Sequence, residues 1–435
     1  MVGKKQKASS QSGNTDIMQQ YMAALSDLWA ASQYSTAALS RYANELLIPY
    51  LIATNYFRDV EYLQAFRKPV GNTMEDYLGL WQFNFDVWQQ SLTGSLDAWR
   101  RYLSMTTDRQ DNGLFDALLN GDLDGFAALA KQKARLAELL ADKYPQAIDA
   151  IEPEYGFHFE KGDHKRVAET DRFVLYQIAP TAKNAKTKRD AKPVLILPPY
   201  VLGANILGFL PGENRSYAHC YANQGIPTYI RILKDISTTP PLQVMTGEDD
   251  ARDTRLFCET ITKNHGKAVT LNGYCQGGFS ALCNLLSGEL DGLVDAFITC
   301  VSPMDGTRSK GLAGFLNRLP ERFNNLAYGT KTLPNGNKVA DGKLMGWVYK
   351  LKSIAQEAPI AAFYRDLMMF ARQETNEVKI SKTAAALNYW LNNERNDLPL
   401  EITNMSFVSY NTPISGDGTL PLKLFGRSLK LERLK

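Results

Sequence analysis

The stretch Gly273-Tyr274-Cys275-Gln276-Gly277-Gly278 follows a buried-strand pattern over 268–272 and opens a small-residue helix that continues Phe279-Ser280-Ala281. A strand that turns sharply into a helix presents the residue at the bend above the sheet, the layout of a nucleophile elbow. Such a bend leaves no room for a β-carbon on either flank, and Gly273 and Gly277 stand at those two positions. The residue at the apex is Cys275. A helix N-terminus favours thiolate over thiol, and its first amides point toward any oxyanion formed at a bound carbonyl. Gly-x-Cys-x-Gly also arises by chance, and most cysteines are small buried core residues. The strand before the bend, the helix after it and a second strand over 296–302 form a βαβ unit, and this context puts the nucleophile reading ahead.

Upstream, the period of two in Phe173-Val174-Leu175-Tyr176-Gln177-Ile178 and the run Val194-Leu195-Ile196-Leu197 read as a hairpin entering a sheet. The lysine-rich segment between them reads as a solvated turn. A helix over 216–224, a strand over 228–233 and a helix over 249–264 then lead to the elbow strand. This alternation predicts a doubly wound parallel sheet, in which ligands sit at the carboxyl ends of the strands, where Cys275 stands. After Ser302-Pro303-Met304-Asp305-Gly306 the strand rhythm stops. The stretch 312–390 reads as helices broken by the Leu333-Pro334-Asn335-Gly336-Asn337 turn, an inserted helical cap. Asp305 sits between Pro303 and Gly306 and reads as a turn aspartate rather than a catalytic acid.

The first 150 residues are mainly helical. Asp16 can cap a helix with the stripe Ile17, Tyr21, Leu25, Leu28. A stronger stripe follows at Trp81, Phe85, Trp88, Leu92, Trp99 and Leu103, with Thr73 and Asp76 spaced as a capping box. Aromatic stripes at helical spacing usually form core, and that is the expectation here.

The chain has 435 residues, 44% hydrophobic and 22% charged, with a formal net charge of +3. That is the composition of a globular protein with a large core, and the dispersed basic residues give no case for nucleic acid as a partner. Five cysteines without paired metal spacing suit a reducing cytosol, so neither a disulfide framework nor a metal site is expected. The start is polar and no apolar run reaches membrane-spanning length, so a cytoplasmic location is expected. The organisation expected is a disordered start over 1–15, a helical N-terminal domain over 16–165, an α/β core over 166–305 and a cap over 306–435.

The Gly-Tyr-Cys-Gln-Gly-Gly elbow, Pro198-Pro199-Tyr200-Val201 after the first core strand, and Asn223-Gln224-Gly225-Ile226-Pro227-Thr228 before the next together resemble poly(3-hydroxyalkanoate) synthases. The likeness runs from about residue 168 onward. It implies an α/β-hydrolase fold, (R)-3-hydroxyacyl-CoA as monomer donor, Cys275 as the nucleophile carrying the growing polyester as a thioester, and no cofactor. Location at the surface of storage granules and association as a homodimer or with a partner subunit are in keeping with it. The Gln276 amide is one expected oxyanion donor. A second should come from the loop after Leu197, where Pro198 and Pro199 have no N–H, leaving Tyr200 or Val201. Gly273, Gly277 and Gly278 complete the elbow.

In this fold the order along the chain is nucleophile, acid, histidine, so the base should follow residue 275. All four histidines, His158, His164, His219 and His265, precede it. His158 and His164 read as surface-loop residues, His219 as helical and His265 as a helix end. The sequence therefore reads as cut short before the acid and the base, and the chain as given is expected to be inactive because both are absent. Two other readings stand beside the synthase: a different cysteine-dependent hydrolase or acyltransferase acting on thioesters, and a non-catalytic granule scaffold of the same fold.

Overall fold

Val194–Leu197 (β3) carries no polar side chain and is buried along its whole length, as a strand covered on both faces must be. It lies inside a six-stranded sheet formed with Lys165–Glu169 (β1), Phe173–Gln177 (β2), Thr228–Leu233 (β4), Val269–Tyr274 (β5) and Val294–Cys300 (β6), in the order β1-β2-β4-β3-β5-β6. The computed structural model describes residues 6–108, 113–319, 325–372 and 380–434. Strands β4, β3, β5 and β6 are mutually parallel, whereas β2 runs antiparallel to both β1 and β4. The class is thus mixed α/β, and the sheet is not parallel throughout. The hairpin partner of β2 is β1, not β3. Residues Lys165, Arg166 and Glu169 are exposed on that edge strand, and such a charged segment carries little apolar signal. The turn between β1 and β2 is held by Thr170, whose Oγ1 accepts from the amides of Arg172 (3.3 Å) and Phe173 (3.1 Å).

Helices cover both faces. One face buries Ile178, Val194, Ile196 and Ile230 against Leu207, Ala218 and Ala222. The helices Gly247–His265 and Gln276–Ser287 pack against each other and on β5. The first of them starts at a capping box, where Thr246 accepts from the Asp249 amide and the Asp249 carboxylate accepts from the Thr246 amide. It stops at Gly266, whose φ of +65° suits a residue without a side chain. Beyond residue 306 two further sheets appear where helices alone were expected. Thr330–Thr332 (β7), Lys338–Ala340 (β8) and Leu398–Pro399 (β9) form one, and the 333–337 turn joins its hairpin. Thr419–Leu424 (β10) and Arg427–Lys430 (β11) form the other. Leu420, Leu424 and Leu429 bury against Phe279, Leu282 and Leu286 of the helix that follows Cys275. The alternation of apolar residues across Gly426 accounts for this hairpin, in a stretch that otherwise reads as cap end and linker.

By contacts the chain forms two units. One comprises Met1–Asn55, Asn84–Ala150 and Tyr349–Ala385; the other comprises Tyr56–Phe83, Ile151–Val348 and Ala386–Lys435 and holds the six-stranded sheet. The first has a core of Ala24, Ala117, Phe126 and Ala130, and a buried hydrogen bond of 2.6 Å from the Tyr42 hydroxyl to the Asp366 carboxylate. The two long N-terminal helices are longer than their caps suggest. The helix Gln6–Ala65 begins before Asp16, within the 1–15 start expected to lack order, and Val70–Asp108 begins directly after Pro69. Thr73 is therefore inside the second helix, with its hydroxyl bonded back to the Pro69 carbonyl (3.4 Å), and is no cap. The aromatic stripe expected in the core is exposed, Trp81 at 67% and Trp88 at 59%. The buried face of that helix runs instead through Leu80, Phe83, Val87 and Ala98. Gly94 lies between the last two, and a β-carbon there would come within 1.8 Å of the Ala355 carbonyl oxygen. Small residues admit a close backbone approach, which the bulky stripe would prevent.

A histidine cluster is expected to make this fold sensitive to acid. His219 is buried, with its Nδ1 2.6 Å from the Ser216 hydroxyl and its ring stacked on Phe157. Burial and then the neighbouring His164 hold its pKa down to about 4. Because the folded pKa lies below that of the free side chain, near 6.5, the unfolded chain binds the proton more readily. Stability is expected to be level above about pH 6.5 and to fall as pH drops from there toward 4. Urea midpoints across that range should show the slope, and His219→Phe should flatten it.

Candidate active site

Strand β5 ends at Tyr274, the helix Gln276–Ser287 begins at Gln276, and Cys275 alone makes the turn. Its φ of +53° and ψ of −126° belong to a region that a residue with a side chain rarely occupies. Holding it there costs about 1–3 kcal/mol, and surrounding bonds must impose it. The Cys275 amide donates to the Cys300 carbonyl on β6 (2.8 Å), and the Gly278 amide donates to the Cys275 carbonyl (2.9 Å). The flanking glycines are required by contact. A β-carbon on Gly273 would come within 2.3 Å of the Gly278 Cα. One on Gly277 would come within 2.4 Å of the Leu197 and Pro198 carbonyl oxygens, and one on Gly278 within 1.9 Å of the Ser302 hydroxyl. A second strained position sits beside the first: Val301, just past the end of β6, is a β-branched residue with φ of +46°.

The loop after β3 lies against this turn, as the Gly277 contact with the Leu197 and Pro198 carbonyls shows. Its carbonyls are engaged. The Tyr200 carbonyl accepts from the Asn396 side chain (3.0 Å), Val201 from the Asn396 amide (3.0 Å), and Leu202 from the Trp390 indole (3.0 Å). Among the described residues no acceptor takes the Tyr200 or Val201 amide. The structure thus brings Gln276, Tyr200 and Val201 to one end of the sheet with Cys275, Gly273, Gly277 and Gly278.

Cys275 is partly exposed and lines neither of the cavities beside it. One, of about 290 Å³, opens at the ends of β3 and β4 between Pro199, Tyr200, Asn205, Glu394 and Arg395. The other, of about 810 Å³, opens beyond β6 between Ser302, Met304, Asp305, Tyr410 and Ile414. Tyr410 lines the larger cavity and lies near enough to Cys275 to feel its charge. It lies one helical turn after Ser406, whose hydroxyl accepts from the Gln276 side chain (2.7 Å). Burial, and then the charge Cys275 would carry as thiolate, push the Tyr410 hydroxyl up to about 12.

Burial raises the Cys275 thiol above its ordinary value, and the Gln276 amide only partly opposes this. The Gln276 amide thus favours the thiolate, as a helix N-terminus should, and burial outweighs it. No histidine stands beside the thiol among the described residues. His158 pairs with Glu160, and His265 meets the Tyr229 hydroxyl (2.8 Å) at the amino end of the strands. His164 is not a surface residue: it is buried against Phe157 and Phe159, and its Nδ1 accepts from the Ala179 amide (3.1 Å). Asp305 holds a turn, accepting from the Thr307 amide (3.2 Å) and from Arg308 (3.2 Å). All five cysteines are free thiols, and no cluster of metal-ligating side chains occurs among the described residues.

Sequence reasoning missed the groups under the site. Asp250 and Arg231 form an ion pair of 2.6 Å, and both are almost fully buried. Asp250 hides among the acidic residues that open its helix. Arg231 leaves one signal, a charged residue in the middle of an otherwise apolar strand.

Comparison with protein-family models and with curated proteins finds no match. Among solved structures the chain is similar to the Bacillus licheniformis lipase BlEst2 in its propeptide form, with 14% identity and a TM-score of 0.25 over 45% of this chain and 38% of that one. It is also similar to the mature form, with 15% identity and a TM-score of 0.25 over 45% of this chain and 70% of that one. The match thus spans well under half of the propeptide-form lipase. Likenesses this slight carry no argument about chemistry.

Proposed function

We propose that this chain is an acyltransferase of the α/β-hydrolase type that takes an acyl group onto Cys275. The particular enzyme proposed is a poly(3-hydroxyalkanoate) synthase, with (R)-3-hydroxyacyl-CoA as donor and the growing polyester held on the same sulfur. The observation that carries this reading is the cysteine at φ of +53° between glycines that tolerate no side chain. The elbow, Pro-Pro-Tyr-Val and Asn-Gln-Gly-Ile-Pro-Thr motifs support the finer assignment. In the first step Cys275 Sγ attacks the thioester carbonyl carbon and its C–S bond to CoA breaks. The CoA sulfur leaves with the proton that Cys275 loses. One thioester replaces another, so the step is close to energetically neutral. The amides of Gln276 and of Tyr200 or Val201 receive the charge that develops on the carbonyl oxygen. Extension needs a base for the incoming hydroxyl, and the described residues place no histidine at Cys275, so the acyl-enzyme is expected to accumulate rather than turn over.

Incubation with (R)-3-hydroxybutyryl-CoA tests this. Release of CoA in proportion to enzyme, with a hydroxybutyryl adduct on the Cys275 peptide by mass spectrometry, is the expected result. The rate should climb with pH through the alkaline range, because burial raises the thiol and only the thiolate attacks. Equal acylation by acetyl-CoA and palmitoyl-CoA would replace the synthase with a broader thioester acyltransferase. That no histidine stands at Cys275 among the described residues favours a second reading, a non-catalytic scaffold of the same fold, which predicts no adduct at any pH.

A further inference from the structure

Beneath the elbow, one buried carboxylate ties together the two segments that flank the thiol. Asp250 Oδ1 accepts from the Tyr200 hydroxyl at 2.6 Å, and Tyr200 belongs to the loop after β3. Asp250 Oδ2 accepts from the Ser280 hydroxyl at 2.5 Å and from the Asn284 side chain at 2.8 Å, both on the helix that Gln276 opens. Arg231 on β4 closes the network. Its Nη2 donates to the Tyr200 hydroxyl at 2.8 Å and its Nη1 lies 2.6 Å from Asp250. Thr254 accepts from Arg231 at 2.7 Å and donates to the Asp250 carbonyl at 2.7 Å. Tyr200, Arg231, Asp250 and Ser280 are all buried. Burial alone would raise the Asp250 carboxyl, but Arg231 and the three side-chain donors carry it below its ordinary value.

A stability role needs only the ion pair. The network does more, because it joins the loop after β3 to the helix that Gln276 opens, the two segments proposed to supply the oxyanion amides. Ser280 and Asn284 lie one and two turns along from Gln276, so they fix the height and rotation of the helix N-terminus. The Tyr200 hydroxyl fixes the loop from below, while the Asn396 bonds to the Tyr200 and Val201 carbonyls fix it from above. Oxyanion donors act through preorganised spacing, and a displacement of about 1 Å can cost about 10²-fold in rate.

We propose that Asp250 and Tyr200 form a positioning pair for acyl transfer, holding the amides of Tyr200 and Val201 at a set distance from the amide of Gln276. The inference rests on the acyl-transfer reading above. It assigns to two residues that touch no substrate a role in the height of the barrier.

Single-turnover acylation by hydroxybutyryl-CoA separates positioning from stability. Tyr200→Phe keeps the ring and its place beside Arg231 but removes the hydroxyl that joins loop to carboxylate. The acylation rate constant is expected to fall by about 10²-fold while the half-saturating substrate concentration changes less than about twofold. Ser280→Ala should act in the same direction more weakly. Tyr229→Phe is the matched control, since it removes a tyrosine hydrogen bond to His265 at the far end of the strands and should leave the rate unchanged. Tyr200→Phe that acylates at the wild-type rate, or slows only as far as its folded fraction falls, overturns the inference alone. A wild-type protein that never forms the Cys275 adduct overturns the acyl-transfer reading and this inference with it.

Discussion

Cys275→Ala is expected to remove acyl-enzyme formation altogether, lowering CoA release from hydroxybutyryl-CoA by about 10³-fold or more while leaving the fold intact. The reasoning is local. The backbone at φ of +53° is imposed from outside, by the Cys300 carbonyl, the Gly278 amide and the glycine contacts, none of which involves the sulfur. Alanine keeps the β-carbon and loses only the sulfur. Circular dichroism and the thermal midpoint should therefore match wild type. Cys275→Ser keeps a weaker nucleophile and should fall between the two. Residual CoA release at the wild-type rate would assign the chemistry to another of the five thiols, and Cys300, on the neighbouring strand end, would be next to examine.

Gly277→Ala is expected to damage both stability and acyl transfer. Its β-carbon would come within 2.4 Å of two backbone oxygens, those of Leu197 and Pro198, and neither can rotate aside. The helix must move off the sheet, and overpacking of this kind costs about 1–3 kcal/mol, with backbone clashes at the upper end. The same movement carries the Gln276 amide away from the loop after β3, so acylation should drop by about 10²-fold in the protein that still folds. Gly314→Ala gives the contrast. It adds a methyl group to the helix Lys310–Leu316 where nothing lies within 4 Å, and should stabilise by about 0.5–1 kcal/mol. Denaturant midpoints of the two variants should move in opposite directions. A Gly277→Ala protein as stable and as reactive as wild type would mean that the turn is looser than its contacts imply.

The elbow was legible because its requirements are local. A bend that excludes β-carbons needs glycine at fixed positions, and a buried parallel strand such as Val194–Leu197 needs an unbroken apolar run. What failed to show depended on distant partners. Lys165–Glu169 is charged because it is an edge, so its sequence carries no strand signal of its own. The stripe from Trp81 to Leu103 has helical period, but a helix has two sides, and the smaller residues at Leu80, Phe83, Val87 and Ala98 took the buried one. His164 is polar in composition and buried in fact, because Phe157 and Phe159 close over it. The Asp250 network is the clearest case. Its members lie on β4, on two helices and on a loop, and nothing in their spacing announces that one carboxylate collects them all.

The packing of β10 and β11 on the helix after Cys275 has a bearing on how the protein is made. Leu420, Leu424 and Leu429 cover Phe279, Leu282 and Leu286, so the underside of the helix after Cys275 stays wet until a stretch well over a hundred residues later has been synthesised. During translation the thiol and its glycine hinge emerge early, on a helix whose apolar side has nothing to rest against. A ribosome-bound chain ending near residue 400 would hold that side open to chaperones. Closure of that hairpin is the event that covers the apolar side of the helix behind the bend.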